Sequence, residues 1–153
     1  MKDKHIKAYM ATAHAFAKCS SATRLQVGCI IVKDDRIISI GYNGMPSGWT
    51  NECEDLSFFS ATGKQLLSPQ LVTKKEVLHA ETNAIAKLAK EDGGGKGATA
   101  FITHAPCLDC AKIIFQSGII SVYYAQKYRS EDGLAFLEKC NIPCIQVKVN
   151  FNK

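Results

Sequence analysis

Three side chains of this sequence together make a metal centre with one coordination position left over. His79 offers an imidazole, and Cys107 and Cys110 offer thiolates from the run Pro106-Cys107-Leu108-Asp109-Cys110. Zinc prefers four ligands in a tetrahedron. A structural site closes that shell with a fourth side chain, whereas a catalytic site leaves the position to water. Water held there has its pKa lowered from about 15.7 to about 7, so a hydroxide nucleophile becomes accessible near neutral pH. Glu81, two residues past the histidine, carries a carboxylate that can shuttle protons beside the metal without becoming a ligand. Each piece alone has a plainer reading. A lone C-x-x-C beside strand and helix patterns also fits a thioredoxin-like redox pair or part of a structural zinc site, and a lone histidine at a helix start is more often a cap or a surface residue. The conjunction of all the parts, in this order, favours catalytic zinc.

The surrounding pattern supplies elements to position these groups. Ala98 to Thr103 shows no polar alternation and reads as a buried strand running into His104-Ala105-Pro106. Proline is well tolerated in a first helical turn, which predicts a helix from Cys107 to Ser117 ended by Gly118. Cys107 and Cys110 then share a face in the first turn, where the helix dipole favours thiolates. His79 to Lys90 is alanine-rich and predicts a second helix start facing the first. Elsewhere, His5 to Lys18 is a helix with Ile6, Met10, Ala13 and Ala17 at helical spacing, and Val27 to Val32 and Arg36 to Ile40 form a hairpin turning at Lys33-Asp34-Asp35. Tyr42 to about Glu76 reads as irregular and, at that length, functional or mobile. A Gly93-Gly94-Gly95 break, strands at Ile119–Ala125 and Pro143–Val149, and a helix at Glu131–Cys140 complete the chain. The alternation predicts parallel pairing with helices on both faces, added to an antiparallel hairpin.

At 153 residues and 46% hydrophobic content, one domain spanning 1–153 with a substantial core is expected. No apolar run is long enough to cross a bilayer, and Met1-Lys2-Asp3-Lys4 is not followed by a signal-peptide core, so a cytoplasmic protein is expected with no membrane partner. Seven cysteines, an odd number, suit reduced thiols and a metal better than a disulfide framework. Cys29, Cys140 and Cys144 are most simply core thiols. The net charge of +5 suits an anionic substrate or a nucleic acid, but no basic-aromatic stripe supports the latter, so no nucleic-acid partner is expected.

Pairing H-x-E with P-C-x-x-C is the signature of zinc nucleobase deaminases. Together with Gly41-Tyr42-Asn43-Gly44-Met45-Pro46-Ser47-Gly48, His79-Ala80-Glu81-Thr82-Asn83-Ala84-Ile85 and Cys107-Leu108-Asp109-Cys110-Ala111-Lys112, it makes most of the chain resemble the deoxycytidylate (dCMP) deaminases of the cytidine deaminase-like superfamily, phage members included. The resemblance implies an α/β fold, a three-layer α-β-α sandwich with a mixed five-stranded sheet. It implies hydrolysis of dCMP to dUMP and ammonia, feeding thymidylate synthesis, in a homo-oligomer that is often a hexamer, located in the host cytoplasm where the member is viral. Activation by dCTP, inhibition by dTTP and Mg2+ accompanying the triphosphate also belong to that implication.

The same resemblance distributes roles. Zinc sits on His79, Cys107 and Cys110. Glu81 takes the water proton, gives it to the ring nitrogen beside carbon 4 of cytosine, and then protonates the departing amine. Asn43 resembles the residue that binds the sugar, its alternative being a turn asparagine at positive φ. Ala80 is a further substrate contact. Tyr128 resembles an aromatic of the base pocket, with core packing as its plainer role. Lys90 falls where viral relatives carry an arginine reaching a neighbouring subunit's site, and a lysine there lacks the planar fork. Gly41, Tyr42 and Gly44 are expected to serve the allosteric nucleotide. Arg24, after Ser20, Ser21 and Thr23, is a candidate for the 5′-phosphate or else a solvated surface arginine. Some relatives hold a second, structural zinc; here Cys19 and Cys53 are its possible partners, without any histidine in 52–78. Free-cytidine, guanine and tRNA-adenosine deaminases share the metal signature, and the Gly-Tyr-Asn-Gly-Met-Pro loop argues against them. A zinc-stabilised accessory protein with a dead site would have no use for Glu81.

Overall fold

A computed structural model of the chain describes residues 1–90 and 94–148. In chain order the elements are α1 (Asp3–Ala17), β1 (Gly28–Lys33), β2 (Arg36–Tyr42), β3 (Glu54–Phe59), β4 (Gln65–Thr73), α2 (Ala80–Leu88), β5 (Thr99–His104), α3 (Leu108–Gln116), β6 (Ser121–Gln126), α4 (Asp132–Lys139) and β7 (Cys144–Gln146). Five strands make one sheet in the order β2-β1-β5-β6-β7. The β1–β2 and β1–β5 pairs are antiparallel, and β5, β6 and β7 run parallel. This is the mixed sheet that the pattern predicts.

Strand side chains alternate between faces, and the two faces are covered by different helices. On one face Ile30, Val32 and Phe101 pack with Met10 and Ala13 of α1. The Phe101 ring stacks on Tyr123 with centroids 4.9 Å apart. On the other face Cys29, Ile31, Ala100, Ile102 and Val122 pack against Ala80, Ala84 and Leu88 of α2, Ala111 and Ile114 of α3 and Leu137 of α4. The outcome is the expected α-β-α sandwich. Cys29 lies in this core and Cys140 and Cys144 pack against it, as expected of core thiols.

Local chemistry fixes the joints. Asp34 and Asp35 have φ of 50° and 58°, the mirror-image turn whose twist suits a two-residue hairpin. At Gly28 a Cβ would lie 2.0 Å from the Ala13 carbonyl oxygen, so the start of β1 and α1 touch backbone to backbone.

Four expectations are corrected. The stretch read as irregular from Tyr42 to Glu76 contains the antiparallel hairpin β3–β4, a separate two-stranded sheet. Its strands were hidden because Leu56, Phe58, Phe59, Leu67 and Leu71 are exposed, so no burial pattern marks them, and Pro69 falls where the register shifts. Helices α2 and α3 start one residue later than predicted. His79 and Cys107 occupy extended cap positions, with ψ of 153° and 169°, and Pro106 therefore precedes the helix. Strand β7 is three residues long rather than Pro143–Val149. Val149 and Gly93, both named in the sequence reading, lie outside the described residues.

Gly28→Ala is expected to lower stability by about 1–3 kcal/mol, because the new methyl group meets backbone that cannot move aside. Gly44→Ala, whose Cβ would meet nothing within 4 Å, is expected to change it by no more than about 0.5 kcal/mol. Urea unfolding followed by circular dichroism measures both.

Candidate active site

Because β1 runs antiparallel to both its neighbours, its N-terminal end lies beside the C-terminal ends of β2 and β5. The Gly28 amide donates to Thr103 Oγ1 at 3.1 Å across that edge. The chain leaves β2 through Asn43 and Gly44, and Gly44 forms a two-way backbone bridge with Leu78, at 3.1 and 2.9 Å. That bridge leads directly into His79. Asn83 Nδ2 donates to the Tyr42 carbonyl at 2.8 Å and ties the first turn of α2 to the same loop. Gly41 lets α2 approach closely, since a Cβ there would be 2.1 Å from the Ala80 carbonyl oxygen. Gly133 does likewise for α4, where a Cβ would meet the Pro106 carbonyl oxygen at 2.0 Å.

These joints bring His79, Cys107 and Cys110 together, their ligand atoms all within 4.8 Å of one another. His79 Nδ1 is 3.6 Å from Cys107 Sγ and 3.3 Å from Cys110 Sγ. With Zn–S of about 2.3 Å and Zn–N of about 2.0–2.1 Å, a tetrahedral N–S edge is about 3.5 Å, so the donor set fits zinc. Three donors leave the fourth position to water, as in a catalytic rather than a closed structural site. Hydrogen bonds from Cys110 and His79 hold the Cys107 thiol down to about 4. The Cys110 thiol is pushed up by its hydrogen bond to Cys107 and by burial. The two thiols are coupled through their mutual hydrogen bond, and a bound dication would favour thiolate at both.

Glu81 is 5% exposed and lies beside the donors. Burial pushes its carboxyl above the usual range, while a backbone hydrogen bond and the charge of His79 pull the other way. A cleft of about 530 Å3 opens over this cluster, with His79, Ala80, Glu81, Asn43, Cys107 and Tyr128 in its wall. Arg24, Lys74, Lys75 and Arg129 also line it. Its size suits a nucleotide-sized ligand.

Asn43 does not adopt positive φ, so the turn-asparagine alternative is set aside. Its Oδ1 accepts from the Val27 amide and its Nδ2 donates to the Leu25 carbonyl, both at 2.8 Å. One donor and one acceptor of the amide remain for a ligand. Tyr128 packs against Ala105, Tyr124 and Leu134 and also lines the cleft. Arg24 lines the cleft, but the hydroxyls before it do not join it. Ser20 Oγ accepts from the Ala22 amide, Ser21 Oγ contacts Cys53 Sγ, and Thr23 Oγ1 donates to Glu54.

Other sequence candidates fall elsewhere. Lys90 lies in a second cleft with Lys33, Arg36 and Lys87, away from the His79 cluster of its own chain. Gly41, Tyr42 and Gly44 lie beside the cleft rather than in its lining. Cys53 is buried with Ala22 and Val77, whereas Cys19 is exposed. Among the described residues the His79 cluster is the sole group of three donors. Sequence reading missed Thr73, Lys74, Lys75, His104 and Arg129 in the cleft. The Lys74-Lys75 pair just before the metal histidine was the available signal, and the hairpin that places it was unseen.

Known proteins share this fold. The crystal structure of a dCMP deaminase from the cyanophage S-TIM5, in complex with dCMP and dUMP, superposes with a TM-score of 0.82 at 39% identity, covering 96% of this chain and 99% of that one. The ComE operon protein 2 of Bacillus subtilis (strain 168) is 38% identical over 143 residues, 93% of this chain and 70% of that protein. The deoxycytidylate deaminase of Enterobacteria phage T4 is 33% identical over 172 residues, 90% of this chain and 86% of that enzyme. Among the described residues no helix is long and apolar enough to cross a membrane. Residues 3–126 match the model of the cytidine and deoxycytidylate deaminase zinc-binding region, and the chain belongs to that family.

Proposed function

We propose that this chain, acting as a single deaminase domain, hydrolyses dCMP to dUMP and ammonia. The observation that carries the reading is one cleft that holds a three-donor zinc site, a buried glutamate and a cationic rim. The likeness to the dCMP deaminases of phage T4 and cyanophage S-TIM5 supports dCMP as the substrate.

His79, Cys107 and Cys110 would hold zinc, which would supply the Lewis acidity that lowers the pKa of a bound water toward neutral. Glu81 takes the proton of the attacking water and delivers it to the ring nitrogen beside carbon 4, which makes that carbon electrophilic. The same carboxylate then takes the remaining proton of the hydroxyl added at carbon 4 and passes it to the amine, so that the carbon–nitrogen bond breaks, a carbonyl forms, ammonia leaves and the charge of Glu81 is restored each turnover. Burial of Glu81, with Cys29 nearby, keeps the carboxylate away from bulk water. Asn43 uses its remaining donor and acceptor on the sugar, Ala80 contributes the backbone of the first α2 turn, and Tyr128 forms a wall for the base. Arg24 supplies a planar fork for the 5′-phosphate.

Regulation by dCTP with Mg2+ and by dTTP belongs to the same proposal, with Gly41, Tyr42 and Gly44 as the nucleotide loop. The Gly44–Leu78 bridge supports it, because a ligand on that loop would bear on the residue next to His79. We place the chain in a homo-oligomer, a hexamer as in the resembling family, with Lys90 reaching a neighbouring site. Exposed Leu56, Phe58, Phe59 and Leu67 on the hairpin support assembly. The dUMP product would feed thymidylate synthesis, and we place the chain in the cytoplasm.

Glu81→Gln is expected to retain about one zinc per chain and to lower kcat by about 10²–10⁴-fold. Loss of the cytosine absorbance band and metal analysis measure the two, and a fall of less than about tenfold at full zinc content removes Glu81 from the proton path.

Cys107→Ser and Cys110→Ser are expected to weaken zinc retention, since a serine hydroxyl stays protonated and binds zinc poorly. Competition with a chromophoric chelator reads the affinity. Unchanged affinity overturns the ligand assignment.

Deoxycytidine is expected to be poorer than dCMP by about 10²-fold or more in kcat/KM, because it leaves the cationic rim unfilled. Added dCTP with Mg2+ should raise activity at low dCMP, and dTTP should oppose it, by biasing states that bind dCMP differently. Steady-state rates with each substrate and effector decide both points. Equal turnover of the two substrates contradicts the nucleotide reading, and a flat response to both triphosphates removes the regulation alone.

A further inference from the structure

The hairpin β3–β4 stands outside the main sheet, yet its foot is woven into the wall of the cleft. Glu54 opens β3 and faces Thr73 of β4 across the strand pair. Its carboxylate accepts from two successive backbone amides, Thr23 N at 3.2 Å and Arg24 N at 3.1 Å, and from Thr23 Oγ1 at 3.1 Å. Thr73 Oγ1 in turn accepts from Arg24 Nη1 at 3.2 Å. One cross-strand pair therefore holds both the backbone and the guanidinium of Arg24.

The post itself is fixed. Cys53, the residue before Glu54, is 1% exposed and packs with Ala22 and Val77. The Cys53 carbonyl also accepts from the Lys74 amide at 2.9 Å. On the far side of Arg24, Asn43 grips Leu25 and Val27. The segment from Thr23 to Val27 is thus pinned at both ends, with Arg24 between the pins.

The distribution of charge is the informative part. A carboxylate this close to an arginine commonly pairs with the guanidinium. Here Glu54 is engaged by backbone amides instead, and among the described residues no ion pair engages Arg24. Lys74, by contrast, is held by Glu52 and Asp55 at 3.7 and 3.5 Å. Arg24 lines the cleft with Thr73 as the side-chain partner of its guanidinium and its charge unmatched by an ion pair among the described residues.

We propose that Glu54 is a positioning residue which, through the hairpin foot, aims Arg24 at the 5′-phosphate and so sets the preference for nucleotide over nucleoside. The inference rests on the dCMP reading above. A phosphate gains two parallel N–H contacts from a guanidinium already held in place, whereas a swinging arginine must first be ordered. A nucleoside lacks the group that Arg24 serves and is indifferent to how Arg24 is held.

The test is a steady-state comparison of dCMP and deoxycytidine with zinc-loaded wild type, Glu54→Gln, Arg24→Met and the double variant. Both amides meet the same carboxylate oxygen, so glutamine removes the charge that strengthens those bonds and turns an N–H toward Thr23 in place of the second oxygen. Glu54→Gln is expected to raise KM for dCMP by about tenfold, with kcat and the deoxycytidine kcat/KM within about twofold of wild type. In the Arg24→Met background the same change should add nothing, since Glu54 acts only through Arg24. Parallel losses on both substrates, or an additive loss in the double variant, overturn the proposal. Thr73→Val keeps the shape of the hairpin foot and removes only the guanidinium contact. It is expected to raise KM for dCMP by about threefold, and this carries the test if Glu54→Gln loses zinc or fails to fold. An unchanged KM in Thr73→Val overturns it in that case. A wild type without preference for dCMP overturns the substrate reading itself, whereas a wild-type preference left intact in Glu54→Gln overturns this inference alone.

Discussion

A tetrahedral metal tolerates errors of only a few tenths of an ångström in its ligand distances, and here the ligands arrive from two separate helix starts. His79 caps α2, Cys107 caps α3, and Cys110 follows one turn inside α3. Much of the fold can be understood as the means of holding those two starts side by side. Strand β5 aims the chain at Cys107, and α4 leans on the Pro106 carbonyl through a glycine. The Gly44–Leu78 bridge and the close approach at Gly41 fix the other start. The extended caps matter because a residue half outside its helix can turn its side chain past the helix end toward a shared centre.

The same arrangement separates two kinds of chemistry. Bond rearrangement is assigned to groups on the sandwich, where packing is dense and Glu81 is shielded from water. Recognition of the anionic end is assigned to the segment from Thr23 to Val27 and to the hairpin foot, which sit at the rim. The hairpin touches little of the main core, so its position depends on a few directed contacts, notably those of Glu54, rather than on buried area.

The parts of this protein legible in its sequence were those with a short-range cause. Spacing alone places Cys107 and Cys110 in one turn, alanine content announces α2, and the period of Ile6, Met10, Ala13 and Ala17 announces α1. Buried strands such as β1 and β5 show as apolar runs because both of their faces are covered. The hairpin β3–β4 was illegible for the opposite reason. Its apolar residues face solvent, Pro69 interrupts its register, and nothing in a linear pattern separates it from loop.

By itself the sequence determined the donor types, the carboxylate two residues from His79 and the elements that carry them, because metal ligands and helix caps follow residue chemistry over a few positions. Only the tertiary structure decided which cations meet that centre. Arg24 and Lys75 are separated by fifty residues of chain that the hairpin folds back, while Lys90, close to α2 in sequence, ends in a different cleft. It also decided that Ser20, Ser21 and Thr23 serve the loop itself, and that Asn43 braces the wall it lines. Hydroxyls, amides and charges find their partners through space, and sequence distance says little about which partner lies within reach of a hydrogen bond.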